Sequence, residues 1–293
     1  MNKTAAVVVT YNRKDLLVEC LQHLKNQTAP VDIMIVDNAS TDGTSDLFID
    51  ETEGLLYFNT GANLGGAGGF NYGMRKACEL GYEFVWVMDD DTLPEPAALE
   101  KLLEADEKLS GNYGWLSSLA LWKDGKECKM NRQKIKPKAF EYLHFLQYGI
   151  ISAEQATFVS LFLKTETVKK YGLPIKEFFI WGDDIEFTRR ISVINNQPCF
   201  LVGSSVVVHA MENNNGSRIS EDVPERLDRY RYAFRNEAFF YRKEGRLLYY
   251  LAKCCKHILL VLFKAKNHRS KRLRIIFSSI FRGLFFNPKV EML

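Results

Sequence analysis

Short apolar runs rich in β-branched residues alternate with helix-spaced patterns through the first 90 residues, and a polar cluster follows each run. Residues 5–10 (AAVVVT) predict a buried strand, and residues 14–26, apolar at 16, 17, 21 and 24, predict a helix. A second strand is expected over 31–36, a short helix over 45–50, a third strand over 55–59, a helix over 68–80 and a fourth strand over 83–88. Strand and helix in turn imply an α/β architecture, a mostly parallel sheet with flanking helices. Such sheets bind ligands at the carboxyl ends of their strands. Thr10-Tyr11-Asn12-Arg13, Asp37-Asn38-Ala39-Ser40, the glycine-rich stretch 61–69 and Asp89-Asp90-Asp91 all fall at those ends.

After a helix over 98–109 the pattern loosens through 115–146. A strand is expected over 155–164, a short helix over 165–171 ended by Gly172 and Pro174, a helix over 183–194, and strands over 198–202 and 205–208. From Pro224 onward the pattern is helical, aromatic and basic. The 46% hydrophobic content excludes a disordered chain. Between Arg226 and Leu293 there are 17 basic and 4 acidic residues, which leaves 22 basic and 32 acidic in the rest. A basic tail on an acidic body points to an anionic partner, and lipid or nucleic acid would satisfy the charge equally. The six cysteines show no CxxC pair or metal-ligand spacing, as expected of thiols in a reducing cytoplasm. The N-terminal segment has no signal-peptide pattern, and no run of 18 apolar residues suggests a membrane span.

Four clusters carry candidate chemistry. Three adjacent carboxylates at Asp89-Asp90-Asp91 repel by about 4 kcal/mol per pair at ~4 Å and an effective dielectric near 20. A divalent cation with a preference for oxygen ligands reverses that cost. The competing reading is a solvated turn whose acids cap the helix opened by Pro94 and Glu95. If the strand persists, Asp89 and Asp91 share one side of it. Asp37 either accepts a hydrogen bond from a nucleobase imide or serves ordinary turn chemistry. The run Asn63-Leu64-Gly65-Gly66-Ala67-Gly68-Gly69 enters a helix, where glycines admit close backbone approach and a helix start favours phosphate. It is not GxGxxG, since Asn71 stands where a third spaced glycine belongs, and GxxxxGK[ST] is absent, which removes P-loop chemistry. Trp181-Gly182-Asp183-Asp184-Ile185-Glu186 opens a helix after an aromatic segment, a setting for either a helix cap or a desolvated general base. His209 ends an apolar strand and offers an imidazole to a metal.

In this order, VVVTYNR, IVDNASTDGT, NLGGAGGFNYG, MDDDTLPEP, FFIWGDDIEFTRR and a later VVVH resemble family 2 glycosyltransferases of the GT-A fold, over about residues 5–216. NLGGAGGF, the triple Asp and the WGDDIE stretch look like those of bacterial galactofuranosyltransferases, and rhamnosyltransferases share most of the framework. Gly182 departs from the galactofuranosyl pattern, in which the tryptophan directly precedes the acidic pair. The resemblance implies a Rossmann-like GT-A domain over 1–224, with a nucleotide-sugar half over about 1–110 and an acceptor half over about 111–224. A helical, basic, membrane-associating region over 225–293 would follow.

On the same resemblance, Thr10, Asn12, Arg13, Asp37, Asn63, Gly65, Gly66, Asp89 and Asp90 would contact the donor. Asp89, Asp91 and His209 would hold Mn2+ or Mg2+. Asp184 would be the catalytic base, and Trp181, Asp183 and Glu186 would hold the acceptor sugar. The implied activity is inverting transfer of galactofuranose from UDP-galactofuranose to a glycan or lipid-linked glycan in bacterial cell-surface polysaccharide synthesis. Rhamnose from dTDP-rhamnose is the alternative sugar. The enzyme would work in the cytoplasm, peripherally on the inner face of the membrane, and the C-terminal helices would meet either anionic lipid or a second subunit. A sugar nucleotidyltransferase is a competing class, but TYNRKD follows strand one where its glycine-rich loop would stand. A nucleic-acid binder leaves the acidic clusters without purpose.

Overall fold

The computed structural model describes residues 3–49, 54–131, 133–136, 140–214 and 216–293. Strands β1 (Thr4–Thr10), β2 (Asp32–Asp37), β3 (Leu55–Asn59) and β4 (Phe84–Asp89) pair in parallel in the order β3-β2-β1-β4. Both faces of these strands are covered. Ala6, Val8, Trp86 and Met88 point into one core with Leu17, Cys20, Leu21 and Leu24 of helix α1 (Lys14–Lys25). Ala5, Val7, Val85 and Val87 point into the other with Phe70, Met74 and Ala77 of helix α2 (Gly65–Glu79). Each fully buried leucine contributes about 2 kcal/mol. Two-sided burial is why these strands are continuous apolar runs rather than alternating ones.

The sheet continues past β4 through β9 (Leu161–Lys164, antiparallel), β6 (Leu116–Leu121), β10 (Phe200–His209), β8 (Ile150–Gln155) and β7 (Lys134–Ile135). A short strand β5 (Thr92–Pro94) pairs antiparallel with β10. Helix α3 (Ala98–Lys108) and helix α4 (Thr165–Tyr171) flank the two faces. This is the expected mixed α/β sheet with flanking helices.

Several elements differ from expectation. The single strand expected over 155–164 is two, because residues 156–160 leave β8 and return as β9 beside β4. The two strands expected over 198–208 are one, β10, whose register against β6 shifts between Val202 and Val206. The helix expected over 183–194 is α5 (Asp183–Arg189) closing in a π turn over Arg190–Ile194. Helix α2 begins at Gly65, three residues before the expected start. The short helix expected over 45–50 is a 3-10 turn, Ser45–Phe48, and Asp50 lies outside the described residues.

Helices α6 (Tyr230–Lys243), α7 (Leu247–Lys264) and α8 (Arg269–Phe285) pack on one another through Phe234, Ala238, Tyr250, Val261 and Ile276. They also dock on the sheet-bearing part. Phe239, Phe240 and Phe286 cluster with Ala67, Ile175 and Phe178. The end of the chain returns with them, where Leu173 donates its backbone N–H to the Glu291 carbonyl at 2.8 Å and Arg75 pairs with Glu291 at 2.8 Å.

Candidate active site

Register brings the first acids together. Thr10 pairs with Asp37 and Val9 with Asp89, so Asp37, Thr10 and Asp89 share the carboxyl edge of the sheet. Strand β4 ends at Asp89 and the chain turns through Asp90 and Asp91, so simple strand alternation does not set their directions. Strand β5 restores the alignment. Its Thr92 pairs with His209, and Ala210 donates its N–H to the Asp91 carbonyl at 2.8 Å. Two residues 118 apart in sequence meet as a result: His209 Nε2 lies 2.9 Å from Asp91 Oδ1. Ligand atoms of Asp89, Asp91 and His209 all lie within 4.8 Å of one another. Two hard carboxylates and an imidazole suit Mn2+, and suit Mg2+ with added water ligands.

The imidazole is oriented from behind. His209 Nδ1 lies 2.7 Å from Asn131 Oδ1, which can only accept, so Nδ1 carries the proton and Nε2 faces the acids. Asn131 in turn donates to Thr157 at 3.1 Å. Asn131 escaped the sequence reading because it lies in the stretch without readable periodicity.

Asp90 turns away from the trio. Its carboxylate accepts from Thr10 Oγ1 at 2.8 Å and from Arg13 at 3.1 Å, and Arg13 also reaches Asp91 at 2.9 Å. Burial, then the Asp91 charge, pushes Asp89 up to about 7. Burial pushes Asp90 up to about 6 against the opposing pull of Arg13. Burial acts on Asp91 too, but the His209 hydrogen bond and charge, with Arg13, hold it below the usual carboxylate range. Burial opposes charge on His209, and the bonds from Asp91 and Cys128 outweigh it and lift the ring to about 10.

The expected donor contacts are largely engaged within the chain. Asp37 accepts from the Ser40 N–H at 2.8 Å and from Tyr57 Oη at 2.6 Å. Asn12 Oδ1 accepts from the Thr41 N–H at 2.7 Å, tying the loop after β1 to the loop after β2. Asn63 Oδ1 accepts from the Gly65 N–H at 2.9 Å at the start of α2. Gly65 has φ +70°, and a Cβ there would stand 2.1 Å from the Phe179 carbonyl oxygen. Close approach at Gly65 therefore serves the segment before α5, and the Ala67 N–H donates to the same carbonyl at 3.2 Å. Gly66 is the neighbour with open space, its Cβ position meeting only the Phe70 ring at 4.0 Å.

That segment carries the second acidic group. Gly182, with φ 89°, starts α5, so Asp183 and Asp184 stand in its first turn. Burial, then Asp184, then Asp89, pushes Asp183 well above the usual carboxylate range. The Phe179 carbonyl rests on Gly65, whose own carbonyl accepts from Asn38 at 3.1 Å, so the segment leading into α5 lies at the carboxyl edge of the sheet. Burial lifts Asp184 to about 6, against the Ile185 N–H that its Oδ1 accepts at 2.7 Å. Trp181 stacks edge-on against Tyr230 at 5.0 Å, with the Arg226 guanidinium 5.8 Å from its ring centre. Glu186, expected at the acceptor, has both oxygens bound by Arg190 at 3.0 and 2.8 Å. It anchors α5 from within. Arg189 does the same outward, forking onto Glu244 at 2.6 and 2.7 Å.

Residues 5–117 match the family described as glycosyl transferase family 2. Galactofuranosyltransferase GlfT1 of Mycolicibacterium smegmatis is 26% identical over 263 residues, covering 82% of this chain and 83% of that protein. Its counterpart in Mycobacterium tuberculosis (strain H37Rv) is 32% identical over 202 residues, covering 64% of this chain and 63% of that one. Among solved structures, GalNAc-T7 with UDP, GalNAc and Mn2+ superposes with a TM-score of 0.60 at 14% identity, over 94% of this chain and 54% of that chain. Residues 5–117 thus match the family 2 glycosyltransferases, and the chain shares the GT-A fold of its solved neighbours.

Proposed function

We propose that the protein transfers a sugar, galactofuranose from UDP-galactofuranose in the first instance, to a hydroxyl of a glycan or lipid-linked glycan with inversion at the anomeric carbon. One observation carries the reading: Asp89, Asp91 and His209 gather at one carboxyl edge of the sheet, and Gly65 at the same edge holds the segment that leads into Asp183-Asp184. The identity to GlfT1 supports the sugar, and the UDP and Mn2+ in the GalNAc-T7 structure support the donor class and the metal.

Asp89, Asp91 and His209 would hold Mn2+ or Mg2+, which when bound supplies charge neutralisation for a departing diphosphate. Asn131 accepts from Nδ1 and so aims His209 Nε2 at that position, where a bound ion would replace the Nε2 proton. Arg13, already bridging Asp90 and Asp91, adds positive charge beside it. Thr10, Asn12, Asp37 and Asn63 would shape the nucleotide side. Asp184 takes the proton from the acceptor hydroxyl, and its raised pKa makes it a stronger base than an exposed aspartate while leaving it ionised at neutral pH. Asp183 and Trp181 border the acceptor, and Glu186 holds the helix that carries them.

A thermal-shift panel tests the donor. UDP with Mn2+ at about 100 times its Kd is expected to raise the melting temperature by about 5 °C. UDP-galactofuranose should then release UDP slowly. A shift confined to dTDP nucleotides would move the reading to a rhamnosyltransferase, and pyrophosphate release from nucleoside triphosphates would make it a nucleotidyltransferase.

The same reading places the enzyme at the inner face of a membrane. Among the described residues no helix is long and apolar enough to cross one. Between Gly245 and Val290 there are 11 basic residues and no acidic one. Leu248, Phe263, Phe277, Phe281 and Phe285 stand exposed on α7 and α8, Leu248 at 83% and Phe263 at 80%. On α8 the exposed positions 277, 281, 284 and 285 form one helical stripe. Exposed aromatics beside basic charge suit an anionic bilayer surface. The protein is expected to float with anionic vesicles but not zwitterionic ones, and Phe281→Ser with Phe285→Ser to weaken that binding at least about 10-fold. A dimer in light scattering with no vesicle binding would assign the stripe to a second subunit.

A further inference from the structure

We propose that Asn236, on helix α6 outside the matched family region, is a positioning residue that sets where Asp183 and Asp184 stand. Asn236 is fully buried, and its Nδ2 faces three consecutive-segment carbonyls: Trp181 at 2.8 Å, Phe178 at 3.0 Å and Ile180 at 3.3 Å. Arg235 fixes the sense of the amide by donating to Asn236 Oδ1 at 3.0 and 2.8 Å, so the nitrogen must point at the carbonyls. An amide nitrogen has only two hydrogens, and all of its donating capacity goes to this one loop.

The loop needs such a clamp. Phe179 has φ 64° and ψ −60°, and the Ile180 N–H closes back on the Phe178 carbonyl at 2.7 Å. That is a γ-turn of the rare hand. Trp181 follows at φ 64° and Gly182 at φ 89°. Bulky residues do not hold left-handed backbone unaided, and such conformations persist where the surroundings over-determine them. Helix α5 begins at the next residue, so a relaxation of Trp181 or Gly182 moves both carboxylates with it. The Gly65 contact with the Phe179 carbonyl holds the loop from the opposite side.

The inference rests on Asp184 being the base, and its test separates the two claims. In the full-length protein Asn236→Ala is expected to lower kcat by about 100-fold. Donor KM and Mn2+-dependent UDP affinity should stay within about two-fold of wild type, since neither touches the α5 start. The acid limb of the rate profile should move to lower pH, because a loosened loop admits water to Asp184. Unchanged kcat and an unchanged limb would overturn the proposal, as would equal losses of kcat and UDP affinity, the signature of general disruption. If Asn236→Ala does not fold, Asn236→Asp decides, since it keeps the size and the Arg235 partner but loses the donor: a kcat loss with intact UDP binding supports the clamp, and wild-type kcat refutes it. Full turnover in Asp184→Asn would instead sink the base assignment, whatever Asn236 does.

Discussion

Asp184→Asn is expected to lower turnover by about 10³-fold while leaving Mn2+-dependent UDP affinity at its wild-type value. Asparagine keeps the shape and can still accept the Ile185 N–H through its oxygen, so the start of α5 survives. Only the capacity to take a proton is lost. The wild-type profile provides a second readout. Burial places Asp184 at about 6, so kcat/KM should be flat above that pH and fall about tenfold per unit below it. The stability consequence has the opposite sign. An acid whose folded pKa is raised above its unfolded value penalises the folded state by an amount that grows as pH rises past the unfolded pKa and is complete above the folded one. Near pH 7.5 that penalty is fully present, and the neutral amide removes it. Asp184→Asn should therefore melt no lower than wild type at that pH, and an inactive, equally stable protein is the expected outcome.

Asp91→Ala is the second large effect, and it acts on the other partner of the reaction. Asp91 is one corner of the proposed metal site and also holds His209 and Arg13. Loss of cation-held charge at the leaving group is worth several kcal/mol, or about 10³-fold in turnover. Added Mn2+ should not restore it below millimolar concentrations, whereas chelation of the wild type should be reversed fully by Mn2+. Activity that withstands both chelation and this substitution would remove the metal from the account.

The parallel half of the sheet was legible because burial on both faces leaves a strand no polar positions. Runs such as Val7-Val8-Val9 and Val85-Trp86-Val87 have no other stable placement. The polar clusters were legible for the complementary reason, since each interrupts such a run at a strand end. What escaped reading depends on contacts between distant segments. The meeting of Asp91 with His209 needs β5, three residues too short for any periodicity. Antiparallel β9 sits beside β4 although β6 precedes it in sequence, an order that no local pattern encodes. Gly65 reads in sequence like a ligand-approach glycine, yet its missing side chain makes room for the backbone of residue 179. Asn131 and Asn236 gave no signal, because one buried amide looks like any other until its partners are known.

Helices α6–α8 also connect to the site. Phe239 and Phe240 pack on Phe178, Glu244 receives Arg189, and Asn236 holds the loop before Asp183. Helices with an exposed aromatic stripe on one side thus hold the loop before α5 on the other.

The most direct test is titration of UDP, with and without Mn2+, into wild type, Asp184→Asn and Asp91→Ala under identical conditions. The account predicts Mn2+-dependent binding of equal strength for wild type and Asp184→Asn, with that dependence gone in Asp91→Ala. Retained Mn2+-dependent binding in Asp91→Ala, or its loss in Asp184→Asn, would contradict a site in which one set of acids grips the donor through metal and a separate carboxylate serves the acceptor.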